Sequence, residues 1–495
     1  MARPKKMNSA FYYTQLKSQF DHWFEPFRAA ALISNDNQSV YIKYQNLPDI
    51  GTLPGVAETV GRYLQVGEGD VVLTNDPYSG GSTLTAMTLM MGINLDNSKH
   101  GKPGSAAEFL LCVRVNLKPH LQMTDTIEDE GVRIPPTPIR QGGQTNKELL
   151  KVISEHPQCP SNFLSAIENV MAAMDRTAQQ MKLDSKSANL DWSKACLRQL
   201  FKGSARQFSK ELEHLATGSV EREMTLESGE KLKLGLSLEE GKVKFDFSGS
   251  GPSAHLHLTY GATLGACVGA IISVLNTDLP LNAGIFEGFE VRAPEGSLVN
   301  AKYPAPVYQG MTDGAGLLAN FILKCLSDVD PQHRLAQAGP SLCSFDIEFN
   351  NNLHFFDTLE PGMAASSFGR GIDALNPWQR SHLEPSIEEI ERRYPLVVKS
   401  CSIRQKSGGS GNFEGGNGVT KAITVKANCT LRWMITQASQ KPEGEEGGKA
   451  ASSAELYIQK VGEKEREKMP ARGEFNMKPG DTVIMHSSGG GGFGG

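Results

Sequence analysis

Thr74-Asn75-Asp76-Pro77-Tyr78-Ser79-Gly80-Gly81 is the stretch on which the reading of this chain turns. Pro77 presets one backbone angle for a turn, Asn75 and Asp76 can bond nearby backbone amides, and the glycine pair tolerates conformations closed to other residues. The apolar run 71–74 just before it reads as a strand, so the stretch leaves a strand end as a turn. Asn75, Asp76 and Tyr78 also carry groups able to hold or polarise a ligand. A structural turn and a binding loop are both open at this point.

Outward from the loop, residues 1–145 mix short strand-like runs such as 109–115 with Gly, Pro and Asn turns, which predicts a β-rich part. Across 146–218 apolar residues recur three and four apart, for example Leu164, Ile167, Val170, Met171 and Met174, and this spacing predicts helices. Residues 219–395 mix both kinds. The alternation over 231–247, broken at Gly241, predicts a hairpin, and the apolar runs 262–275 and 314–326 predict buried helices. A short helix over 388–393 leads into a β-rich part, 396–495, in which the charged, glycine-rich segment 441–453 is expected to be a mobile loop. This order gives an α+β fold with β-rich ends and helices between.

The length of 495 residues suits several packed units, and the proportions of apolar and charged residues are those of a globular protein. A net charge of -5 with scattered basic residues gives no footprint for nucleic acid or an anionic membrane. The run 262–275 is shorter than the roughly 20 residues that span a bilayer. No apolar stretch follows the basic start 1–6, so a secretory signal is not expected and the location expected is cytoplasmic. Eight dispersed cysteines without a CxxC pair read as reduced core residues.

Generic motifs add little. Gly249-Ser250-Gly251-Pro252-Ser253-Ala254 fits a loose dinucleotide pattern but reads as an ordinary turn, because no second strand with an acidic residue follows. Gly448-Lys449 lacks the hydroxyl and the first glycine of a phosphate loop, since Ala450 and Glu443 stand there. No nucleophile elbow or zinc helix occurs. On a strand, His255 and His257 would share a face as a metal pair requires, yet no third ligand stands at a diagnostic spacing. The terminal glycine run 489–495 reads as a flexible tail on composition alone.

Several stretches, taken in order, resemble the hydantoinase B / oxoprolinase family: the 74–81 loop, Asp246-Phe247-Ser248-Gly249-Ser250, Asp278-Leu279-Pro280-Leu281-Asn282-Ala283-Gly284 and Pro294-Glu295-Gly296-Ser297-Leu298-Val299-Asn300. Ser407-Gly408-Gly409-Ser410-Gly411, Gly415-Gly416-Asn417-Gly418, Pro479-Gly480-Asp481 and the glycine terminus extend the resemblance over nearly the whole chain. It implies a large, mixed, multi-lobed hydantoinase B-like fold and a B-type subunit working beside an A-type partner. That partner, with ATP and magnesium, would activate a cyclic amide, the small-molecule substrate, and the B-type half would supply metal-activated water. This chain itself would bind no cofactor.

The chain departs from the family pattern at the implied metal ligands. Thr83 stands for a His and Ala86 for an Asp, Asn116-Leu117-Lys118-Pro119 replaces a His pair with only His120 near, and an upstream Asp falls near Phe27. Alanine and phenylalanine cannot bind a metal, so no metal is expected here. In the enzyme reading Asn75, Asp76 and Tyr78 line a pocket with Arg370 and Arg404. In the other, the chain is a non-catalytic scaffold or regulator. The resemblance also implies that 489–495 is ordered and packs near the 74–81 loop.

Overall fold

The run AMTLMMGI is apolar on both faces, and this decides the centre of the fold. A strand buried on both sides must lie inside a sheet covered on each face. The computed structural model describes residues 9–95, 106–117, 125–227, 229–275, 278–339, 342–350, 353–378, 386–436 and 438–495. Its first sheet contains β1 (Ala30–Ser34), β2 (Ser39–Lys43), β3 (Val71–Thr74), β4 (Ala86–Ile93), β5 (Phe109–Asn116), β6 (Thr137–Gln141) and β7 (Gln144–Thr145). They lie in the order β2-β1-β5-β4-β3-β6-β7, and every pairing is antiparallel. Successive residues alternate between two cores. Met87, Leu89 and Met91 of β4 point to one, and Met90 to the other.

Helices cover the two faces. On one side lie α1 (Ser9–Trp23), α3 (Lys147–Ser154), α4 (Phe163–Ser187) and α5 (Lys194–Leu212), with Phe163, Ile167, Met171, Met174 and Met181 facing the sheet. The helical spacing read over 146–218 is this stripe. The other side is closed by α2 (Leu47–Tyr63), which packs on α6 (Tyr260–Val274). Their backbones nearly touch: a Cβ on Gly265 would stand 2.1 Å from the Leu47 carbonyl oxygen. The β-rich reading of 1–145 therefore missed two helices. α2 carries Pro48, Pro54 and three glycines, which lower helix propensity, and close packing against α6 overrides that preference.

The second sheet holds β8 (Gly218–Thr225), β9 (Lys231–Glu239), β10 (Lys242–Asp246) and β11 (Phe289–Arg292), in the order β11-β10-β9-β8. Glu239 pairs with Lys242 around Gly241, as the hairpin reading requires. The helices α7 (Ala283–Phe286), α8 (Ala315–Val329) and α9 (Ile387–Arg393) follow, and a π-turn over Gly310–Gly314 precedes α8. The C-terminal strands are β12 (Ser344–Phe349), β13 (Leu353–Asp357), β14 (Leu396–Ile403), β15 (Val419–Val425), β16 (Cys429–Met434), β17 (Glu455–Gln459), β18 (Glu467–Lys468), β19 (Arg472–Met477) and β20 (Thr482–His486). They form the sheets β13-β12-β16-β19 and β14-β15-β20-β17-β18, whose facing sides make a third core. The fold is α+β.

One apolar cluster contains Leu47, Leu212, Leu232 and Leu318, so the segments read as 1–145, 146–218 and 219–395 share a core. Segment 441–453 corrects its expectation: a Cβ on Gly448 would stand 2.2 Å from the Gly492 carbonyl, and Ala451 is buried. It belongs to a lattice of extended glycine segments. The terminal run threads this lattice, with the Gly490 amide bonded to the Gly416 carbonyl at 2.9 Å and the Gly491 amide to the Gln337 carbonyl at 2.8 Å. The terminus is ordered as the resemblance implies. Its contacts, however, are with segments around 363, 408–416 and 443–449 rather than with the 74–81 loop. Among the described residues no helix is long and apolar enough to cross a membrane. None of the eight cysteines forms a disulfide; five are buried, while Cys401 is exposed on β14, contrary to a uniform core reading.

Candidate functional site

Residues 74–81 leave the end of β3 as a tightly bonded turn. Asn75 is buried, and its amide group donates to the carbonyls of Leu84 at 2.8 Å and Val132 at 2.9 Å while its oxygen accepts from the Ile134 amide at 2.7 Å. Asp76 caps the short turn Pro77–Ser79: one carboxylate oxygen accepts from the Tyr78 amide at 3.1 Å and the other from the Ser79 hydroxyl at 2.8 Å. Gly80 sits at φ 90, and a Cβ there would come 2.4 Å from the backbone of Gly55 in α2. The sequence left turn and site open. The geometry makes Asn75 a turn residue whose polar atoms bond the protein itself.

Three further segments close on this loop. Tyr78 donates its hydroxyl to the Ala305 carbonyl at 2.5 Å, and the Thr259 hydroxyl donates to the Gly81 carbonyl at 2.8 Å. The Ile127 amide bonds the Pro304 carbonyl at 3.0 Å, starting the turn Ile127–Asp129. His257 is buried and bonds the Pro306 carbonyl through Nδ1 at 3.0 Å. Burial lowers its pKa, so the ring is neutral at pH 7, and because a carbonyl only accepts, Nδ1 carries the proton. Leu84, Ile127 and Val307 form the small apolar floor, with Tyr78 against them.

Glu130 is the chemically distinctive group of this junction. Its Oε1 accepts from the Tyr308 amide at 2.9 Å, and its Oε2 is buried with no partner among the described residues. Burial raises its pKa to about 8, although the amides of Tyr308 and Val307 pull the other way. It is therefore a neutral carboxylic acid at pH 7, able to give up a proton. Above it lies a charged and aromatic rim. Arg133 sits 5.1 Å from the Tyr303 ring centre, 3.8 Å from Asp76 and 3.6 Å from Glu128, and the Tyr78 and Tyr303 rings meet edge to face at 5.7 Å. Burial also raises the pKa of Tyr78 strongly, which fixes it as a hydrogen-bond donor rather than a base. The sequence reading missed Glu130. It lies in the acidic run Glu128-Asp129-Glu130, which reads as a solvated turn, and no periodicity reports that its last member points inward.

The remaining expected residues lie apart. Arg404 spends its guanidinium on the carbonyls of Ser453 at 2.7 Å and Ser487 at 3.0 Å and on Glu455 at 2.9 Å. Arg370 is exposed and stands 3.6 Å from Asp373. Among the described residues no hydrogen bond or ion pair joins either arginine to Asn75, Asp76 or Tyr78. His255 stands 3.7 Å from Asp125, and neither His255 nor His257 lies on a strand, which removes the reason for reading them as a pair.

The described residues at the implied metal positions do not fit a metal. Thr83 is buried with its hydroxyl 3.3 Å from that of Thr85, Ala86 opens β4, and Phe27 is a core residue that also lines a cleft of about 1070 Å³ with Lys43, Tyr44 and Trp378. His120, Lys118 and Pro119 lie outside the described residues. Among the described residues, no three His, Cys, Asp or Glu side chains are grouped to hold an ion. Beside Ala86 the protein keeps a different charge: Arg114 is buried, bonding the Ala86 carbonyl at 2.8 Å, Thr88 at 2.8 Å and Asp49 at 3.2 Å.

The sequence model of the Hydantoinase B/oxoprolinase family matches residues 28–495. The chain belongs to that family. It is 25% identical to a 5-oxoprolinase of Dictyostelium discoideum over 88% of this chain, but spans only 35% of that relative. A Pseudomonas protein assigned as the B-type half of a D-/L-hydantoinase is 21% identical, covering 91% of this chain and 80% of the relative. Among solved structures, the ATP-dependent caprolactamase from Pseudomonas jessenii superposes with a TM-score of 0.84 at 18% identity, covering 99% of this chain and 92% of that one. The hydantoinase B-like fold is thereby established.

Proposed function

We propose that this chain is the B-type unit of an ATP-dependent system that opens a cyclic amide, a 5-oxoproline, hydantoin or lactam, beside an A-type partner that binds ATP and magnesium. Glu130 carries the reading. Opening a ring amide expels a nitrogen that must take a proton, and Glu130 is an acid protonated at neutral pH beside the loop characteristic of the family. Asp76 and Arg133 stand at the rim, and Tyr78 is held beside them by its bond to the Ala305 carbonyl. No step is routed through a metal, because Phe27, Thr83 and Ala86 offer no adequate ligand set. The relatives support a partner unit: this chain matches 35% of the 5-oxoprolinase of Dictyostelium discoideum, and an A-type unit would correspond to part of the rest of that protein.

One observation favours a second reading, a non-catalytic scaffold or regulator of such a complex or of a related carboxylase: the polar atoms of Asn75 bond only the protein itself. Co-expression with an A-type subunit, co-elution, and ATP-dependent ring opening of 5-oxoproline, hydantoin and caprolactam test both. Glu130→Gln should reduce turnover by about a hundredfold or more if Glu130 is the acid. A complex equally active with Glu130→Gln supports the scaffold, and subunits that never co-elute refute both.

A further inference from the structure

The cleft that Phe27 lines, about 1070 Å³, is large enough for a small molecule and shares no lining residue with the Glu130 junction. Its walls come from separate parts of the chain. α1 supplies Lys17 and Asp21, the end of β2 supplies Lys43, α6 supplies Ile272 and Ser273, and Leu281 and Trp378 come from loops. The Ile42 amide bonds the Leu281 carbonyl at 3.0 Å, which ties β2 to the opposite wall, and the Trp378 indole N–H is held by the Asn320 side-chain oxygen at 2.7 Å. Lys17, Asp21 and Glu25 precede residues 28–495, the part that the family model matches, so this side of the cleft lies outside the family's shared pattern.

Three basic residues, Lys17, Arg28 and Lys43, and three acidic ones, Asp21, Glu25 and Asp278, line the cleft, but they are not matched one to one. Lys17 and Asp21 stand one turn apart on α1 and pair at 3.9 Å, Lys17 also holds Asp278, and Asp21 accepts from the Tyr41 hydroxyl at 2.8 Å. Lys43 is half-buried. Its Nζ donates to the Phe24 carbonyl at 2.8 Å and has no acid within ion-pair range among the described residues. Glu25 and Asp21 attract it from farther off and raise its pKa, but burial lowers it by more. A lysine drawn out of water is rarely left without a counter-charge in contact, because nothing then offsets its lost hydration. Around it the lining is apolar, with Ile272, Leu281, Leu323 and the Trp378 ring.

We infer that this cleft binds a small organic monoanion with an apolar body, its carboxylate on Lys43 and its hydrocarbon part against Trp378, Ile272 and Leu281. The equal numbers of basic and acidic groups give no strong field for a phosphate or another polyanion. A single carboxylate needs only what is present: an ammonium group has three N–H donors, and Lys43 uses one of them on Phe24. Phe27 adds a neutral wall at the position where the family pattern has an acid, so no carboxylate there repels the ligand. The apolar lining then favours a hydrocarbon chain or ring over a short polar acid. The inference does not rest on the role of Glu130.

Isothermal titration calorimetry on the full chain tests the site with butanoate, hexanoate, the neutral hexanamide and inorganic phosphate as probes. Lys43→Met keeps the apolar stem and removes the ammonium group. Ser273→Trp narrows the cleft from α6, where the serine is exposed and its hydroxyl bonds only the Ala270 carbonyl of its own helix, so the fold should persist. Circular dichroism checks that both variants are folded. Hexanoate should bind one to one, roughly tenfold tighter than butanoate for its two further methylenes. Its affinity should fall about tenfold or more in Lys43→Met, in Ser273→Trp and on exchange for hexanamide. Unchanged affinity in either folded variant, hexanamide binding as tightly as hexanoate, phosphate binding in its place, or no hexanoate binding at about 10 mM overturns the inference. None of these results bears on Glu130, whose acid role is read from the turnover of Glu130→Gln.

Discussion

Glu130→Gln should stabilise the protein by an amount that grows with pH. The carboxyl has a pKa of 4.5 when unfolded and about 8 when folded. Below pH 4.5 both states are protonated and the burial of Glu130 is not penalised by ionisation. Between 4.5 and 8 only the unfolded chain releases the proton, so the wild type loses about 1.4 kcal/mol of stability per pH unit. The loss reaches about 3 kcal/mol at pH 7 and levels off at about 5 kcal/mol above pH 8. Glutamine keeps the shape and an oxygen for the Tyr308 amide, but carries no ionisation. Urea denaturation of both proteins between about pH 5 and pH 8 should give curves that separate steadily as pH rises. A difference that stays constant over this range would show that Glu130 is already ionised in the folded protein, and the acid role would fall with it.

Arg114→Leu should lower stability by about 3–5 kcal/mol, because it strands the buried Asp49 charge; Asp49→Asn added to it should recover part, and a loss below about 1 kcal/mol in urea melts would contradict the buried pair. Gly265→Ala should cost at least about 1–3 kcal/mol, since the new Cβ meets the Leu47 carbonyl and α6 must move off α2; an unchanged melting temperature would show that the helices do not approach so closely. Deleting 489–495 should likewise lower the melting temperature, because Gly490 and Gly491 bond the backbone of Gly416 and Gln337. His354 has a raised folded pKa, so its contribution is fully present below its unfolded value of 6.5 and is lost as pH rises through the raised one. In His354→Gln that pH dependence should vanish from stability curves.

How much of this was legible in the sequence depended on whether neighbours or distant segments decide a residue's place. The 231–247 hairpin and the stripe Ile167, Met171 and Met174 follow from local periodicity, and both stand as read. Helix α2 does not: its prolines and glycines argue against a helix, and only the approach of α6, some two hundred residues later in the chain, gives Gly51 a reason to lack a side chain. The glycine lattice fails for the same cause. Segment 441–453 is polar and flexible by composition, yet its glycines are required where extended backbones lie too close for any Cβ. At the site, turn chemistry marked Asn75, Asp76 and Tyr78 correctly as a distinctive loop but could not say whether their polar atoms face a ligand or the protein. The acid that the proposed function uses, Glu130, is set by burial under the 303–308 segment, and its raised pKa comes from that burial. A carboxyl so placed is costly to the fold at neutral pH, and that cost beside the 74–81 loop is the physical ground for the proton-donor role proposed for it.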